Sequence, residues 1–458
     1  MKKTLIVISG LFIAMSMFAA PTSSPSGAKN VPAMSQSEVE FAEKLSKVLE
    51  NGTLEEAIAL FDTMPENQRD NVDMLSLKAS LLFSAGNVKE AERIAVSLLS
   101  KNPKNVEVLG LNAIIAKQKN DSAKMNQYLK QIIAIEPKNA DANIELGNME
   151  ALKRNYRNAR DYYRTAVLSD PTNEDALFGY GKMVYFLGKN DKEAKEIFDR
   201  LIAKNPSHAQ AYSYRGKLEA ENRDYRSAKQ YVLTAIEKEP SNSDFYFDLG
   251  TYCRYLGDFA GAEEAWSKAR DLDPDYFLGY AYLAGLYDEQ NKPKEALENY
   301  RKVVEKNPQY YYAYESLGIL AWHDKNYGEA KDAFEEAHKK NLDNVSYTLM
   351  VAACYMKEKN YQGCKAFTEK AMRTMDRNST EYLLVRLYHD QAGESSIAQK
   401  IQNEKNKTKK GKFLYYFALY YDLKGKYDLA QKYYAEITDM KSAMFFEYRL
   451  AQWEIEPS

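Results

Sequence analysis

Residues Asp244–Pro274 read DFYFDLGTYCRYLGDFAGAEEAWSKARDLDP, and residues Asp141–Pro171 read DANIELGNMEALKRNYRNARDYYRTAVLSDP. Laid over each other they match in place without a gap: Gly147 with Gly250, Tyr156 with Phe259, Ala159 with Ala262, Pro171 with Pro274. Working outward, prolines stand at 103, 137, 171, 206, 240, 274 and 308, spaced by 34, 34, 35, 34, 34 and 34, and Leu342 takes the next place. A small residue recurs ten positions after each proline (Ala113, Gly147, Gly181, Gly216, Gly250, Ala284, Gly318, Ala352). A second small series follows (Ala159, Ala194, Ala228, Ala262, Ala296, Ala330, Cys364), preceded by three in several units by Tyr156, Tyr225, Phe259, Tyr327 or Tyr361. A fixed period of this length marks a stacked repeat. Small residues in both halves of a unit predict two antiparallel helices whose backbones approach closely, with large neighbours filling the gaps. The proline stops the second helix, and pieces such as Lys153–Tyr156, Gly257–Phe259 and Lys325–Tyr327 separate the two helices, with Asn or Asp available as an N-cap.

These stretches resemble tetratricopeptide repeats, whose signature is this pattern of small residues, Tyr/Phe and terminal proline. The resemblance implies an all-α, right-handed α-solenoid of about twelve antiparallel helix pairs with units starting near 38, 72, 106, 140, 174, 209, 243, 277, 311, 345, 379 and 411. Departures fall at Met125, Pro293 and Leu342, and the first and eleventh units are degenerate. A last helix, about Ala443 to Trp453, is expected to cap the exposed end. One solenoid over 38–442, with a capping helix and tail at 443–458, replaces the roughly three domains that length alone suggests.

Composition narrows the function. Lys and Arg number 63 against 65 Asp and Glu, so no basic excess points to nucleic acid. Three cysteines (Cys253, Cys354, Cys364) and four histidines are too scattered for a disulfide framework or a metal site, and small packing residues are the expected role of the cysteines, with a Cys354–Cys364 bridge as the alternative. No phosphate loop, HExxH or GxSxG motif is present. No enzyme, cofactor or metal is expected. Met1-Lys2-Lys3 followed by an apolar run from Leu5 to Ala20 reads as an export signal, or an uncleaved membrane anchor, ahead of a flexible linker at 21–37. The bulk of the chain is then expected outside the cytoplasm, in a bacterial periplasm or cell envelope.

Tyrosine supplies 36 of 57 aromatic residues (36 Tyr, 18 Phe, 3 Trp), which suits peptide-binding surfaces. In tetratricopeptide solenoids the first helix of each repeat lines an inner groove where partners bind. By register, the resemblance carries that role onto Phe178, Lys182, Tyr185, Lys217, Phe247, Arg254, Tyr255, Tyr312, Trp322, His323 and Tyr415. Aromatic residues mixed with cations suit an extended peptide or another protein's tail. Trp322, taken as exposed, is the sharpest anchor, with stacking on Tyr312 or on the next unit as the packing alternative. The family's carboxylate clamp for chaperone tails is not reproduced, since Ile144 and Phe178 stand where lysine is needed. The lysines at 405, 407, 409, 410 and 412 are expected in a solvated connector, or against an acidic partner. The leading expectation is a non-catalytic envelope scaffold holding protein partners. The alternatives are a carbohydrate- or peptidoglycan-associated module and an accessory subunit of a separate envelope enzyme.

Overall fold

A computed structural model describes residues 36–188, 191–441 and 445–455. The expected export segment at 1–20, and all but the last two residues of the expected linker at 21–37, lie outside the described residues. Among the described residues there are twenty-five α-helices and no strand, and no helix is long and apolar enough to cross a membrane. The chain divides at Leu218–Glu219 into two compact units.

The first unit holds the couples Gln36–Asn51 and Leu54–Leu60, Val72–Ser84 and Val88–Lys101, Val106–Gln118 and Ser122–Ile135, Ala140–Leu152 and Tyr156–Ser169, and Glu174–Leu187 and Asp191–Lys204. The division falls inside the next helix, Ala209–Glu221. The second unit continues with Tyr225–Lys238, then Ser243–Tyr255 and Phe259–Leu272, Leu278–Glu289 and Pro293–Lys306, Tyr312–His323 and Tyr327–Lys340, Val345–Lys357 and Tyr361–Met372, Thr380–Asp390 and Glu394–Gln402, and Lys407–Leu423 and Tyr427–Asp439. Phe446–Ile455 comes last. Within each unit successive helices pack on one another, so the all-α helix-pair solenoid is the observed fold.

Three local devices repeat. Second helices begin on an Asx side chain that accepts a free backbone N–H of the first turn, as Asp121 does from Lys124 (3.0 Å), Asp258 from Gly261 and Asn360 from Gly363 (2.9 Å each). The residue before the N-cap position is left-handed, whether it is Gly257 (φ 78°), ahead of Asp258, or Arg154 (φ 59°), ahead of Asn155, whose side chain makes no cap bond. The strain at Arg154 is offset by the bond closing the turn, in which Asn155 N–H donates to the Glu150 carbonyl at 2.9 Å. At the other end the residue before each proline leaves the helix for an extended conformation, as at Asn102 (φ −132°, ψ 67°) and Asp273 (φ −137°, ψ 77°). Asn341, ahead of Leu342, does the same (φ −141°, ψ 78°), so the exit does not require the proline ring.

The small residues work differently from a simple close approach of backbones. The alanine series of the second helices is buried to the backbone, and so is Cys364. Four glycines of the recurring first-helix position, Gly147, Gly181, Gly250 and Gly318, instead receive an aromatic ring from the second helix. A Cβ on Gly250 would lie 2.4 Å from the Trp266 ring, one on Gly318 2.9 Å from Phe334, one on Gly181 2.9 Å from Phe198 and one on Gly147 3.0 Å from Tyr163. All three cysteines are free and buried, with burial pushing the Cys364 thiol up to about 12.

One expectation is corrected. The lysines from 407 onward are not in a connector: they open the helix Lys407–Leu423, capped by Asn406, which accepts from Lys409 N–H at 3.0 Å. Cations at a helix N-terminus oppose the dipole. Here Lys409 faces Glu381 (3.7 Å) and Lys410 faces Glu436 (3.6 Å), which offsets that cost. The last helix does more than close the end of the stack. It packs on Lys407–Leu423 and Tyr427–Asp439, and also reaches back to Tyr312–His323.

Candidate functional site

In the first unit, the first helices Val106–Gln118, Ala140–Leu152, Glu174–Leu187 and Ala209–Glu221 contribute to a cleft of about 690 Å³. Lys182 is among its lining residues. Its Nζ lies 6.0 Å from the Phe178 ring centre, 5.9 Å from Phe186 and 6.0 Å from Tyr214, within the range of attraction between a cation and a ring face. Tyr156 stacks on Phe186 (5.2 Å, 19°), and Tyr185 meets both Phe186 and Tyr214 edge-on (5.5 and 5.4 Å). Lys117, also on the rim, is paired with Glu145 at 2.6 Å. Among the described residues Lys182 has rings around it and no carboxylate paired with it. The floor is fixed by Tyr163, whose hydroxyl donates to Asn148 Oδ1 at 2.7 Å. Burial, with Glu145 and Asp175 opposing a phenolate, pushes the Tyr163 hydroxyl up to about 12, so it stays a donor at any ordinary pH.

Of the residues expected to face a groove, the structure brings Phe178, Lys182 and Tyr185 together. Lys217, half-buried three residues beyond Tyr214, is not among those lining the cleft. Tyr156, Phe186 and Tyr214 were missed. Phe186 is four residues after Lys182 and so shares its helix face, while the recurring aromatic at 156 reads in sequence only as a packing position.

The second unit treats its expected residues less uniformly. Phe247 is half-buried against Tyr276 and Tyr282 (5.9 and 5.7 Å). Arg254 is paired with Glu289 at 2.7 Å, and Tyr255 lies flat on Tyr225 (4.4 Å, 7°) while remaining exposed. Tyr312 is the most open, at 68% exposure, with its hydroxyl 3.1 Å from that of Tyr311.

Trp322 and Tyr415 are corrected. Trp322 is only 4% exposed, set edge-on against Tyr327 (5.0 Å) with Lys357 over its ring (6.0 Å), and it does not stand out as an anchor. Tyr415 is fully enclosed between Tyr416 and Tyr434. Both belong to the core because their helices carry apolar residues nearly all round, which hides the exposed face from a register argument. His323 stays at the surface, but the Trp453 ring of the last helix stacks on it at 3.9 Å.

The model of the family described as tetratricopeptide repeat matches residues 153–209, 215–277 and 282–344. The chain is 31% identical over 118 residues to Small glutamine-rich tetratricopeptide repeat-containing protein 2 of Saccharomyces cerevisiae, covering 26% of this chain and 34% of that protein. It is 27% identical over 168 residues to Protein O-mannosyl-transferase TMTC3 of Homo sapiens, covering 36% of this chain and 18% of that protein. The chain thus spans about a third or less of the length of these curated relatives. Among solved structures, the Cut9 and Hcn1 hetero-tetramer of the APC/C is similar at 15% identity with a TM-score of 0.43, covering 70% of this chain and 64% of that one.

Proposed function

Since the chain is a tetratricopeptide-repeat protein, we propose that it is a non-catalytic scaffold of a bacterial cell envelope, and that it holds a protein partner in the cleft around Lys182. One observation carries the site: a lysine enclosed by three ring faces, lining an open cleft, with no carboxylate paired to it among the described residues. Such a place suits a chain segment that brings an acidic side chain or terminal carboxylate next to an apolar one. The carboxylate answers the ammonium, and the apolar group covers Phe186 and the neighbouring Leu152, both exposed. The envelope location rests on the Lys-Lys and apolar run at the N-terminus.

The test is in-cell photocrosslinking of the full-length chain with a crosslinking residue in place of Leu152, beside a Lys182→Ala/Phe186→Ala variant. Crosslinks to an acidic-and-apolar segment of an envelope protein, lost in a variant that folds normally, are the expected result. Equal crosslinking in the variant, or retention of cell-wall glycan with no protein, overturns it.

A further inference from the structure

We infer that the first-helix face of the second unit is a receptor for an amphipathic partner helix, and that the chain's own C-terminal helix Phe446–Ile455 sits there as a tethered competitor. This goes beyond the reading of the Lys182 cleft and is independent of it.

The contacts of the last helix are those of a ligand along a groove. Arg449 pairs with Asp288 at 2.7 Å, across 161 residues of sequence. Trp453 stacks on His323, and Arg449 lies 4.3 Å from the Trp453 ring centre. Phe446 stacks near Phe334 and Tyr347 (6.1 and 6.5 Å). Glu447 reaches Ser346 Oγ, and the Tyr416 hydroxyl donates to it at 2.8 Å. Four first helices supply partners: Leu278–Glu289, Tyr312–His323, Val345–Lys357 and Lys407–Leu423. The second helix Tyr327–Lys340 adds Phe334. The second helix Tyr427–Asp439 adds Gln431, which donates to the Glu454 carbonyl at 2.8 Å, and the Thr438 carbonyl, which accepts from the Tyr448 hydroxyl at 3.2 Å.

On the docked helix, Phe446, Arg449, Leu450 and Trp453 stand at i, i+3, i+4 and i+7, the spacing by which a helix seats one face in a groove. That spacing defines the partner: a helix of about three turns with an aromatic residue, then a basic residue and a second aromatic, meeting Tyr347, Asp288 and His323 in turn, and with an uncharged residue in the place of Glu447.

Displacement is built into the same contacts. Glu447 is fully buried, and its Oε2 has no hydrogen-bond partner among the described residues. Burial raises its carboxyl above the ordinary range, with Lys412 the cation opposing the shift. A carboxylate enclosed in this way costs free energy that an apolar seal would not, which weakens the tethered helix against an incoming one.

The probe is a fluorescein-labelled peptide of residues 445–455, titrated by polarisation into the full chain and into a full-chain Arg449→Asp/Trp453→Ala variant. The variant is expected to bind the peptide roughly tenfold tighter or more, since its own helix competes less well. A folded variant that binds no tighter than wild type overturns the inference. Hydrogen exchange on the unaltered chain keeps it decidable if the variant does not fold. Amides of the last helix exchanging at the rate of Lys407–Leu423 overturn it, and exchange roughly tenfold faster supports it.

Discussion

Around Lys182 the first-helix face of the first unit is open, with an aromatic-lined cation lining the cleft, whereas in the second unit the corresponding face at Asp288, His323 and Ser346 is covered by residues 446–455 of the same chain. The underlying packing is the same in both. Gly181 admits the Phe198 ring in one and Gly250 admits Trp266 in the other. Repeats built on one core thus present different surfaces, because the positions that hold the helices together are not the positions that face outward. An occupied face also reads differently from an open one: His323 is a groove residue by register, yet its nearest ring neighbour is already supplied from within the chain.

The first way to break the comparison is to attack the shared core. Tyr163→Ala beneath the first face and Trp266→Ala beneath the second are each expected to lower stability by about 3–5 kcal/mol, the usual cost of emptying a buried aromatic site. Thermal or urea unfolding followed by circular dichroism measures it, and a large inequality between the two would mean that the units do not rest on equivalent packing.

A smaller effect is expected at the open face. Lys182→Ala/Phe186→Ala should weaken partner binding by about 1–3 kcal/mol, typical of an interface anchor, and leave the melting transition in place.

At the covered face, Glu447→Gln removes a buried charge while keeping an acceptor for Ser346 and Tyr416, so docking is expected to tighten at neutral pH by about 1 kcal/mol or more. The sign follows from linkage. The Glu447 carboxyl titrates higher when docked than when free, so the docked state holds its proton more readily, and docking is strongest at pH below the ordinary carboxylate range. It weakens as pH rises from there through the elevated docked value. Emission of Trp453, which lies against His323, should report that loss in a chain where Trp266 and Trp322 are replaced by Phe, and the part of the change that disappears in the Glu447→Gln chain is the part due to Glu447. The neighbouring groups that enter this titration are Lys412, Tyr415 and Tyr416 on one helix and Ser346 and Tyr347 on another.

The smallest change is expected at Tyr312→Ala, where an exposed ring is lost. Its stability effect should stay within about 0.5 kcal/mol, which calorimetry would resolve from the core variants.

The repeat itself was legible in sequence. The proline register, Ala159 through Ala330 and the Asx residues at helix starts are local or strictly periodic signals, and periodicity survives whatever the rest of the chain does. Phe178, Lys182 and Tyr185 were placed together by register, through the resemblance to tetratricopeptide repeats. Burial of Trp322 and Tyr415 was not legible, because a helix apolar nearly all round offers no exposed side to read. Nor was the seating of Phe446–Ile455, whose partners at Asp288, His323 and Ser346 lie more than a hundred residues earlier. Sequence alone determined the unit, its length and the two helices in it, since those depend on contacts within about 34 residues. Only the tertiary structure decided which face stays open and which is filled, because that depends on where one non-repeating helix finds complementary charge and ring surfaces, and no period records it.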